Sequence, residues 1–494
     1  MAGASDSEAR EFAEAFRAFL SWVHSDRAGD TRNEATKLLT DFLGDGASAR
    51  SVVNRGLPPF EHVNLQTALD AWMQESGRDV AVHGVSIPPR FGGISLQQLL
   101  TGDGLPPTRL APPELVDLPN GPGSTLACLR LALLLVDDEH GRYAMMVSGP
   151  SEHERTLNIG IAGLSVEAAQ GVQARLAELR LSRNVYRGHV LDVSATPGGV
   201  SLEFGAPPDT ARGDVVLPEE VLGRVERHAL GVAAHRDGLL GAGQHLKRGL
   251  LLYGPPGTGK THTTRYLIGQ MAGYTRFLMT GRALHAIGSI AELARDLQPA
   301  VIVLEDVDLV AEERGIRPGS SPVLFDLLDA MDGAAADADL LFVLTTNRAD
   351  LLEPALAARP GRVDVAVEID LPDADARRRL LALYGRAVPL RLTEEDRATI
   401  IERTDGVTAS FIKELLRRAL LESLHDPDDG GVVTAAHATR ALDDLLDSGQ
   451  RLTRSLLGVG NDPATLPPGG GLGSLPPAHR AAVTSSGHWF SVGR

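Results

Sequence analysis

The sequence predicts an α/β fold in which a doubly wound parallel sheet is followed by a helical domain. From about residue 215 to 371, short apolar runs alternate with amphipathic stretches, the pattern of parallel strands joined by crossover helices. A glycine-rich loop separates the first of these strands from a helix. Residues 373–457, by contrast, carry helical patterns.

The chain is expected to form several domains, because 494 residues are too many for one hydrophobic core. A helical N-terminal region with a Pro/Gly-rich linker (1–122) precedes a small α+β module (123–213). The large α/β domain (214–371), the helical domain (372–457) and a tail predicted to be disordered (458–494) follow.

In the N-terminal half, periodicity predicts the individual elements but no motif indicates chemistry. The predicted helices are 8–24, Glu34–Leu43, Asn64–Gln74, Leu96–Leu100 and Val166–Leu179. The predicted strands are Leu126–Val136 and Tyr143–Val147, which form a hairpin across Asp137–Gly141, and Gly188–Ser194 and Val200–Phe204.

Charge and composition exclude several classes of protein. The formal net charge of −16 argues against a nucleic-acid binder, whose affinity comes from basic residues that neutralise phosphates. The single cysteine, Cys128, excludes an internal disulfide and fits a reducing compartment. Neither a membrane-spanning apolar run nor the basic start of a signal peptide is found, so a cytoplasmic protein without membrane contact is expected.

The glycine-rich loop carries the most specific motif. The apolar strand Arg248–Tyr253 leads directly into Gly254-Pro-Pro-Gly-Thr-Gly-Lys-Thr261, and a helical pattern follows at His262–Met271. This is the G-x-x-x-x-G-K-[ST] phosphate-binding loop in its strand–loop–helix context. Glycines allow main-chain amides to turn toward phosphate oxygens, the helix N-terminus adds positive partial charge, and Lys260 is expected to reach the β- and γ-phosphates. The predicted nucleotide-binding residues are Gly254, Pro255, Pro256, Gly257, Thr258, Gly259, Lys260, Thr261 and His262, with ATP and Mg²⁺ as the predicted cofactors.

A second apolar run, Ala300–Leu304, ends in the acidic run Glu305-Asp306-Val307-Asp308. Ligands of open parallel sheets bind at the carboxyl ends of the strands, so these acids are expected to face the nucleotide. One carboxylate should hold Mg²⁺ and its neighbour should polarise the attacking water. Thr261 and Glu305 are therefore the predicted metal ligands, and Asp306 and Glu305 are predicted catalytic residues.

Two further groups of candidate catalytic residues follow. The apolar strand Leu340–Thr345 leads to Asn347, whose amide suits a water-holding group that senses the γ-phosphate, although an ordinary turn Asn is the alternative. Arg359 and Arg362 flank a Pro-Gly turn, and guanidinium groups suit the spread charge of a phosphoryl-transfer transition state. Surface arginines paired with carboxylates are the alternative interpretation.

Taken together, these elements resemble the AAA family of ATPases. Leu328-Asp-Ala-Met-Asp-Gly333, Thr345-Thr-Asn347 and Arg359-Pro-Gly-Arg-Val-Asp364 are each close to family patterns, and the resemblance covers about residues 215–457. It implies a P-loop NTPase sheet with a C-terminal helical lid, ATP hydrolysis, and a homo-hexameric ring that binds ATP between subunits.

The resemblance also implies roles for particular residues. Asn347 would be the sensor, and Arg359 and Arg362 would act on the ATP of a neighbouring subunit. Asp214–Val221 would pack on the adenine, and Gly406–Phe411 would close on the nucleotide.

Two departures from the family pattern concern catalysis. Glu305-Asp306 reverses the usual Asp-Glu order, as in the subgroup of AAA ATPases that resembles the mitochondrial Rieske-protein translocase, and the shorter Asp306 predicts slow hydrolysis. One extra residue between Pro354 and Arg359 leaves the position of Arg359 less defined than that of Arg362.

A third departure concerns mechanical work. Ring unfoldases present an aromatic–hydrophobic–Gly pore loop, and the matching segment here is Leu284-His-Ala-Ile-Gly288, with Ala286 in the aromatic position. Ile287 could grip a chain weakly or His285 could substitute, but a solvated loop histidine is the preferred interpretation of His285.

Two functions are therefore carried forward. The first is a remodelling ATPase whose N-terminal region recognises a protein partner of unknown identity; the second is an ATP-dependent switch or scaffold without threading activity. A clamp-loader-like nucleic-acid remodeller is disfavoured by the acidic composition, and a metabolic kinase would not account for the paired arginines after Asn347. Trp489-Phe490 in the tail is a candidate docking anchor or part of an inert tail.

Overall fold

The structure is a computed structural model that divides into two compact units, Met1–Asp370 and Leu371–Arg494. Nearly all of the predicted helix 8–24, the predicted tail, and both Arg359 and Arg362 lie outside the residues that it describes. The described residues are 33–44, 51–86, 93–102, 108–150, 155–196, 199–308, 338–348, 363–426 and 430–447, most of 327–333, and the isolated positions 15 and 46.

The first unit begins with an antiparallel sheet of strand order β1-β7-β6-β5-β2-β3, in which β4 also pairs with β5. The strands are β1 (Val52–Leu57), β2 (Asp79–Ser86), β3 (Arg109–Ala111), β4 (Glu114–Gly121), β5 (Ser124–Asp138), β6 (Gly141–Ser148) and β7 (Leu157–Ala162). The helices are α1 (Glu34–Leu43), α2 (His62–Met73), α3 (Leu96–Thr101) and α4 (Val166–Ser182), and a 3-10 turn covers Pro59–Glu61.

The long strand β5 organises this sheet, because its apolar run is covered on both faces. Leu134 and Val136 pack in the core formed with α2 and α4, whereas Leu133 and Leu135 pack in the core formed with α1 and α3. Alternate side chains of a strand point to opposite faces, so a continuous apolar run requires cover on both sides. The predicted hairpin between β5 and β6 is present.

The region before β5 differs from its prediction, since β1 to β4 are strands where a helical region with a linker is expected. The strand β4 illustrates the difference, because it contains Pro119 and Asn120 and none of its residues is fully buried. Its conformation depends on pairing with β5, a tertiary interaction that a local pattern does not reveal.

The second sheet has the order β14-β10-β13-β12-β11-β8-β9, and its pairs are parallel except for the β8–β9 hairpin. The predicted α/β fold with a doubly wound parallel sheet is therefore confirmed. The strands are β8 (Val190–Thr196), β9 (Gly199–Gly205), β10 (Arg248–Tyr253), β11 (Thr275–Thr280), β12 (Ala300–Glu305), β13 (Leu340–Thr346) and β14 (Val365–Glu368). The helices are α5 (Glu219–Glu226), α6 (Lys260–Gln270) and α7 (Ile287–Asp296), with shorter helical segments at Arg212–Asp214, Arg227–Gly231, Val232–Ala234, Arg236–Gly241 and Gly281–Ala286.

Both faces of this sheet are buried, which explains its continuous apolar strands. In β12, Ile302 and Leu304 pack on one face, while Val301 and Val303 pack in a separate core on the other. The carboxyl ends of β10, β12 and β13 therefore meet at one edge of a rigid layer.

The β8–β9 hairpin belongs to this second sheet, although the sequence groups it with residues 123–213. Strand β8 pairs in parallel with β11, from Arg276↔Val190 to Met279↔Val193. The pairing is non-local, so the sequence pattern predicts the two strands but not their sheet. Residues of the predicted α+β module (123–213) thus contribute two strands to the second sheet.

The second unit contains α8 (Ala374–Tyr384), α9 (Glu394–Arg403), α10 (Ala409–His425) and α11 (Ala435–Leu446), and the short strands β15 (Leu390–Arg391) and β16 (Val433–Thr434) pair in parallel. Side chains of Asp373, Thr393 and Thr408 cap the first three of these helices. Across the described part of the chain, no helix combines the length and apolarity that a membrane span requires.

Candidate nucleotide-binding and hydrolysis site

The loop between β10 and α6 has the backbone geometry of a phosphate cradle. Gly254, Gly257 and Gly259 have φ angles of 142°, 79° and 112°, values that favour glycine. A Cβ on Gly254 would lie 2.2 Å from the carbonyl oxygen of Ile369, so only glycine fits there. Gly259 is the N-cap of α6, so the loop runs into a helix N-terminus, which attracts anions.

Lys260 lies across this loop and is 6% exposed. Its Nζ donates hydrogen bonds to the carbonyl oxygens of Gly254 and Pro255, each at 2.8 Å. Burial lowers the pKa of Lys260 to about 8, and the nearby charges of Asp306 and Asp308 oppose that shift. A desolvated ammonium at the N-terminus of α6 suits an anionic ligand such as a polyphosphate.

The remaining residues of the loop support this arrangement. Thr258 is buried and its hydroxyl donates to the carbonyl oxygen of Pro255 at 2.9 Å, while Pro256 is half-buried in the turn. His262 is exposed on α6, and its Nε2 lies 3.1 Å from the carbonyl oxygen of Asp214. That contact links the loop to the segment predicted to pack on adenine.

Thr261 and Glu305 come together at the carboxyl ends of the loop and of β12. Burial raises the pKa of Glu305, and a hydrogen bond from the Thr261 hydroxyl lowers it. A hydroxyl and a carboxylate in contact are oxygen ligands of the kind that Mg²⁺ takes beside substrate phosphates. These two residues fit the predicted metal site.

Asp306 follows β12 with a φ of 53°, in the left-handed region that few residues other than glycine adopt. Its main-chain N–H donates to Thr345 Oγ1 at 3.1 Å. Its side chain is exposed, and its Oδ1 accepts from Asn347 Nδ2 at 3.4 Å. The structure therefore brings together the predicted general base and the predicted sensor.

Asp308 belongs to the acidic run that the sequence analysis expects to face the nucleotide, but that analysis gives it no task. It is 6% exposed, and its Oδ1 accepts hydrogen bonds from Thr346 Oγ1 at 3.0 Å and from the main-chain N–H of Asn347 at 3.2 Å. The available signal was its place in the acidic run after β12, but that run does not show the contact with the end of β13.

The segment that resembles a pore loop forms a 3-10 helix, Gly281–Ala286, ahead of α7. Leu284 is 2% exposed and Ile287 is 0% exposed, because both pack in the core beneath the sheet. His285 is exposed and Ala286 half-buried. The sequence left open that Ile287 grips a chain weakly, and burial of this side chain contradicts that reading.

Comparison with known proteins gives a family match over the same site. The sequence profile of the ATPase family associated with various cellular activities (AAA) matches residues 250–371. The ATP-dependent zinc metalloprotease FtsH of Cutibacterium acnes (strain SK137) is 31% identical over 226 residues, which cover 43% of this chain and 31% of that protein. FtsH of Alkalihalophilus pseudofirmus (strain ATCC BAA-2126 / JCM 17055 / OF4) is 33% identical over 219 residues, which cover 41% of this chain and 31% of that protein.

Among solved structures, the crystal structure of the FIGL-1 AAA domain aligns with a TM-score of 0.42 at 23% identity, over 49% of this chain and 85% of that one. The chain spans about a third of the length of these two FtsH relatives.

The names of these relatives include a zinc protease, but this sequence contains no His-Glu-x-x-His motif. In the part of the chain that the structure describes, no group of three His, Cys, Asp or Glu side chains could hold a metal ion. The family match and the P-loop sheet together identify the region around residues 250–371 as a P-loop ATPase domain of the AAA family.

Proposed function

We propose that this chain couples Mg²⁺-dependent ATP hydrolysis to the remodelling of a protein partner that its N-terminal region recognises. The observation that carries the hydrolytic part is the contact of two pairs at one sheet edge: Thr261 with Glu305, and Asp306 with Asn347. Each pair joins residues from different elements, so the arrangement is not explained by local sequence.

In this proposal each residue has a defined task. The amides of the Gly254–Thr261 loop and Lys260 bind the β- and γ-phosphates, and Thr261 and Glu305 hold Mg²⁺, which neutralises phosphate charge. Asp306 accepts the proton of the attacking water, and Asn347 orients that water. The Glu-Asp order places the base on the shorter side chain, which is consistent with slow turnover.

Replacement of the proposed base tests the hydrolytic step. Asp306→Asn should keep ATP affinity and lower the rate of phosphate release at least ~100-fold, the size expected for loss of a general base. Binding of a fluorescent ATP analogue and steady-state phosphate release measure the two quantities. The control is Asp339→Asn, a buried aspartate that pairs with Arg248 and precedes β13, at the amino end of the strand.

Two results would decide against this assignment. Normal turnover by Asp306→Asn would transfer the role of base to Glu305. No phosphate release by the wild-type protein, at any magnesium concentration, would remove the hydrolytic function altogether.

By family resemblance, the assembly is a homo-hexamer in which Arg359 and Arg362 act on a neighbour's ATP. We place the protein in the cytoplasm, as the single buried Cys128 fits a reducing compartment. The partner is a protein, and neither nucleic acid nor membrane is proposed as a ligand.

The joint between the N-terminal region and the ATPase sheet supports transmission of motion. The β8–β9 hairpin continues the sheet through β11. The Arg187 guanidinium donates to the carbonyl oxygen of Asp296, the last residue of α7, at 3.2 Å and to that of Gln298 at 3.1 Å. A cavity of about 930 Å³ lies beside the hairpin, with aromatic walls from Phe60, Tyr186 and Phe204.

The second candidate function is an ATP-dependent switch or scaffold, and the burial of Leu284 and Ile287 favours it. A segment that directs its large apolar side chains into the core has little with which to hold an unfolded chain. A labelled substrate protein separates the two functions: remodelling predicts ATP-dependent unfolding, whereas a switch hydrolyses ATP and leaves the substrate folded.

A further inference from the structure

We propose that Asp308 is a positioning residue for ATP hydrolysis, which fixes Asn347 relative to the base Asp306. The inference rests on the proposed function, because it concerns the same hydrolytic site. It adds a residue to which neither the family resemblance nor the sequence motif assigned a task.

The geometry of Asp308 distinguishes it from the other carboxylates of the acidic run. Oδ1 of Asp308 accepts both the Thr346 hydroxyl and the Asn347 main-chain N–H, at 3.0 and 3.2 Å. Both donors belong to the end of β13. The Asp308 side chain therefore reaches across to the neighbouring strand and holds the residue that carries the sensor amide.

Further hydrogen bonds join the same two segments. The main-chain N–H of Val307 donates to the carbonyl oxygen of Thr345 at 3.0 Å, and the N–H of Asp306 donates to the Thr345 hydroxyl. The Asn347 side chain adds a hydrogen bond to Asp306. Among these hydrogen bonds, the one accepted by Asp308 is the one that fixes the main chain of Asn347 itself.

A purely structural role explains this burial poorly. Among the described residues, no Lys or Arg forms a direct ion pair with Asp308: its Oδ1 accepts from two neutral donors, and Lys260 acts on it only as a nearby charge without a hydrogen bond. Burial of a carboxylate costs free energy unless its hydrogen bonds compensate, and an apolar side chain would fill the space without that cost. A charge held at the end of β13 is better explained by the geometry that it imposes on Asn347.

The test compares Asp308→Ala with Asp308→Asn, singly and in an Asn347→Ala background. Asp308→Ala removes the acceptor, so kcat for ATP should fall roughly 10- to 100-fold, as for a catalytic group displaced by about 1 Å, while KM changes less than about twofold. Asp308→Asn keeps an acceptor oxygen and should restore most of kcat. In the Asn347→Ala background, Asp308→Ala should lower kcat by less than about a further twofold, because its effect is exerted through Asn347.

Several outcomes overturn the inference: an equal loss of kcat in both backgrounds, a loss confined to KM, or no rescue by Asp308→Asn. The control Asp339→Asn should lower the melting temperature and leave kcat near wild type, which shows that loss of a buried carboxylate alone does not stop turnover. If Asp308→Ala does not fold, Thr346→Val removes one of the two donors and carries the same double-mutant test. A wild-type protein without ATPase activity would refute the proposed function, whereas additive effects in an active protein would refute only the role of Asp308.

Discussion

The loop Gly254–Thr261 and the segment Gly281–Gly288 occupy equivalent places in the same sheet. Each follows a parallel strand, β10 or β11, and each leads into a helix. Both also begin with a glycine of positive φ, 142° at Gly254 and 51° at Gly281. Their side chains, however, face opposite environments. The first surrounds a site with main-chain amides and Lys260, while the second packs Leu284 and Ile287 into the core.

This difference shows that a shared strand–loop–helix framework does not determine what a loop does. The phosphate-binding loop keeps its polar groups available because glycines prevent side chains from filling the space. The second segment buries its large apolar side chains in the core, so these side chains stabilise the fold and form no exposed gripping surface. The first loop therefore has the geometry that phosphate binding requires, whereas the second lacks the exposed large apolar side chains that gripping a chain would require.

The largest expected effect is the loss of ATP binding when the Lys260 side chain is removed from the first loop. Lys260→Ala removes the only side-chain cation of the loop, so ATP affinity should fall at least ~100-fold, within the range for truncation of one partner of a buried charge pair. Equilibrium binding of a fluorescent ATP analogue measures the change. Lys247→Ala, at the opposite end of β10, is the matched lysine control and should bind normally. Retained affinity in Lys260→Ala would remove the assignment of the phosphate site.

Two substitutions in the segment Gly281–Gly288 test whether its large apolar side chain is buried. Ile287 is 0% exposed, so Ile287→Ala should lower the free energy of unfolding by about 2–5 kcal/mol, as for other large-to-small core replacements. His285→Ala, two residues away on the exposed side, should change it by less than about 0.5 kcal/mol. Chemical denaturation of the two variants provides the measurement. If Ile287→Ala leaves the free energy of unfolding unchanged, the Ile287 side chain is exposed, and a role in gripping a polypeptide is again compatible with its position.

Sequence reasoning reached the ATPase half more fully than the N-terminal half, for physical reasons. The Gly254–Thr261 loop is encoded locally, since its glycines, lysine and flanking elements are contiguous, and the structure places them as a cradle. Glu305, Asp306 and Asn347 follow apolar strands, and parallel strands bring their carboxyl ends together by topology alone. The roles of these residues stay predictions until they are measured.

What the sequence did not reveal depends on non-local contacts. The task inferred for Asp308 requires the end of β13 to approach it, which no spacing within the acidic run specifies. Likewise, β4 is ordered by its partner β5, and the β8–β9 hairpin finds its sheet through β11. Local periodicity predicts a strand, but the strand with which it pairs is determined by non-local contacts.

The smallest expected effect concerns the ionisation of Lys260. Burial lowers its pKa to about 8, so part of the nucleotide-free protein carries a neutral lysine above that pH. Bound phosphate favours the charged form and raises the pKa of Lys260, so ATP binding at alkaline pH requires proton uptake. ATP affinity should therefore be constant at neutral pH and should fall toward tenfold per unit as pH rises above about 8.

Calorimetric titration with ATP between pH 7 and 9.5, in two buffers of different ionisation enthalpy, detects both the affinity change and the proton taken up. The terminal phosphate is already ionised over this range, so it does not mask the lysine. Lys260→Arg supplies the control, since a guanidinium stays charged and its affinity, although weaker, should not vary with pH. If the wild-type affinity is constant up to pH 9.5, the pKa of Lys260 is not lowered by burial. The loop around the ammonium would then be more accessible to water than the 6% exposure of Lys260 indicates.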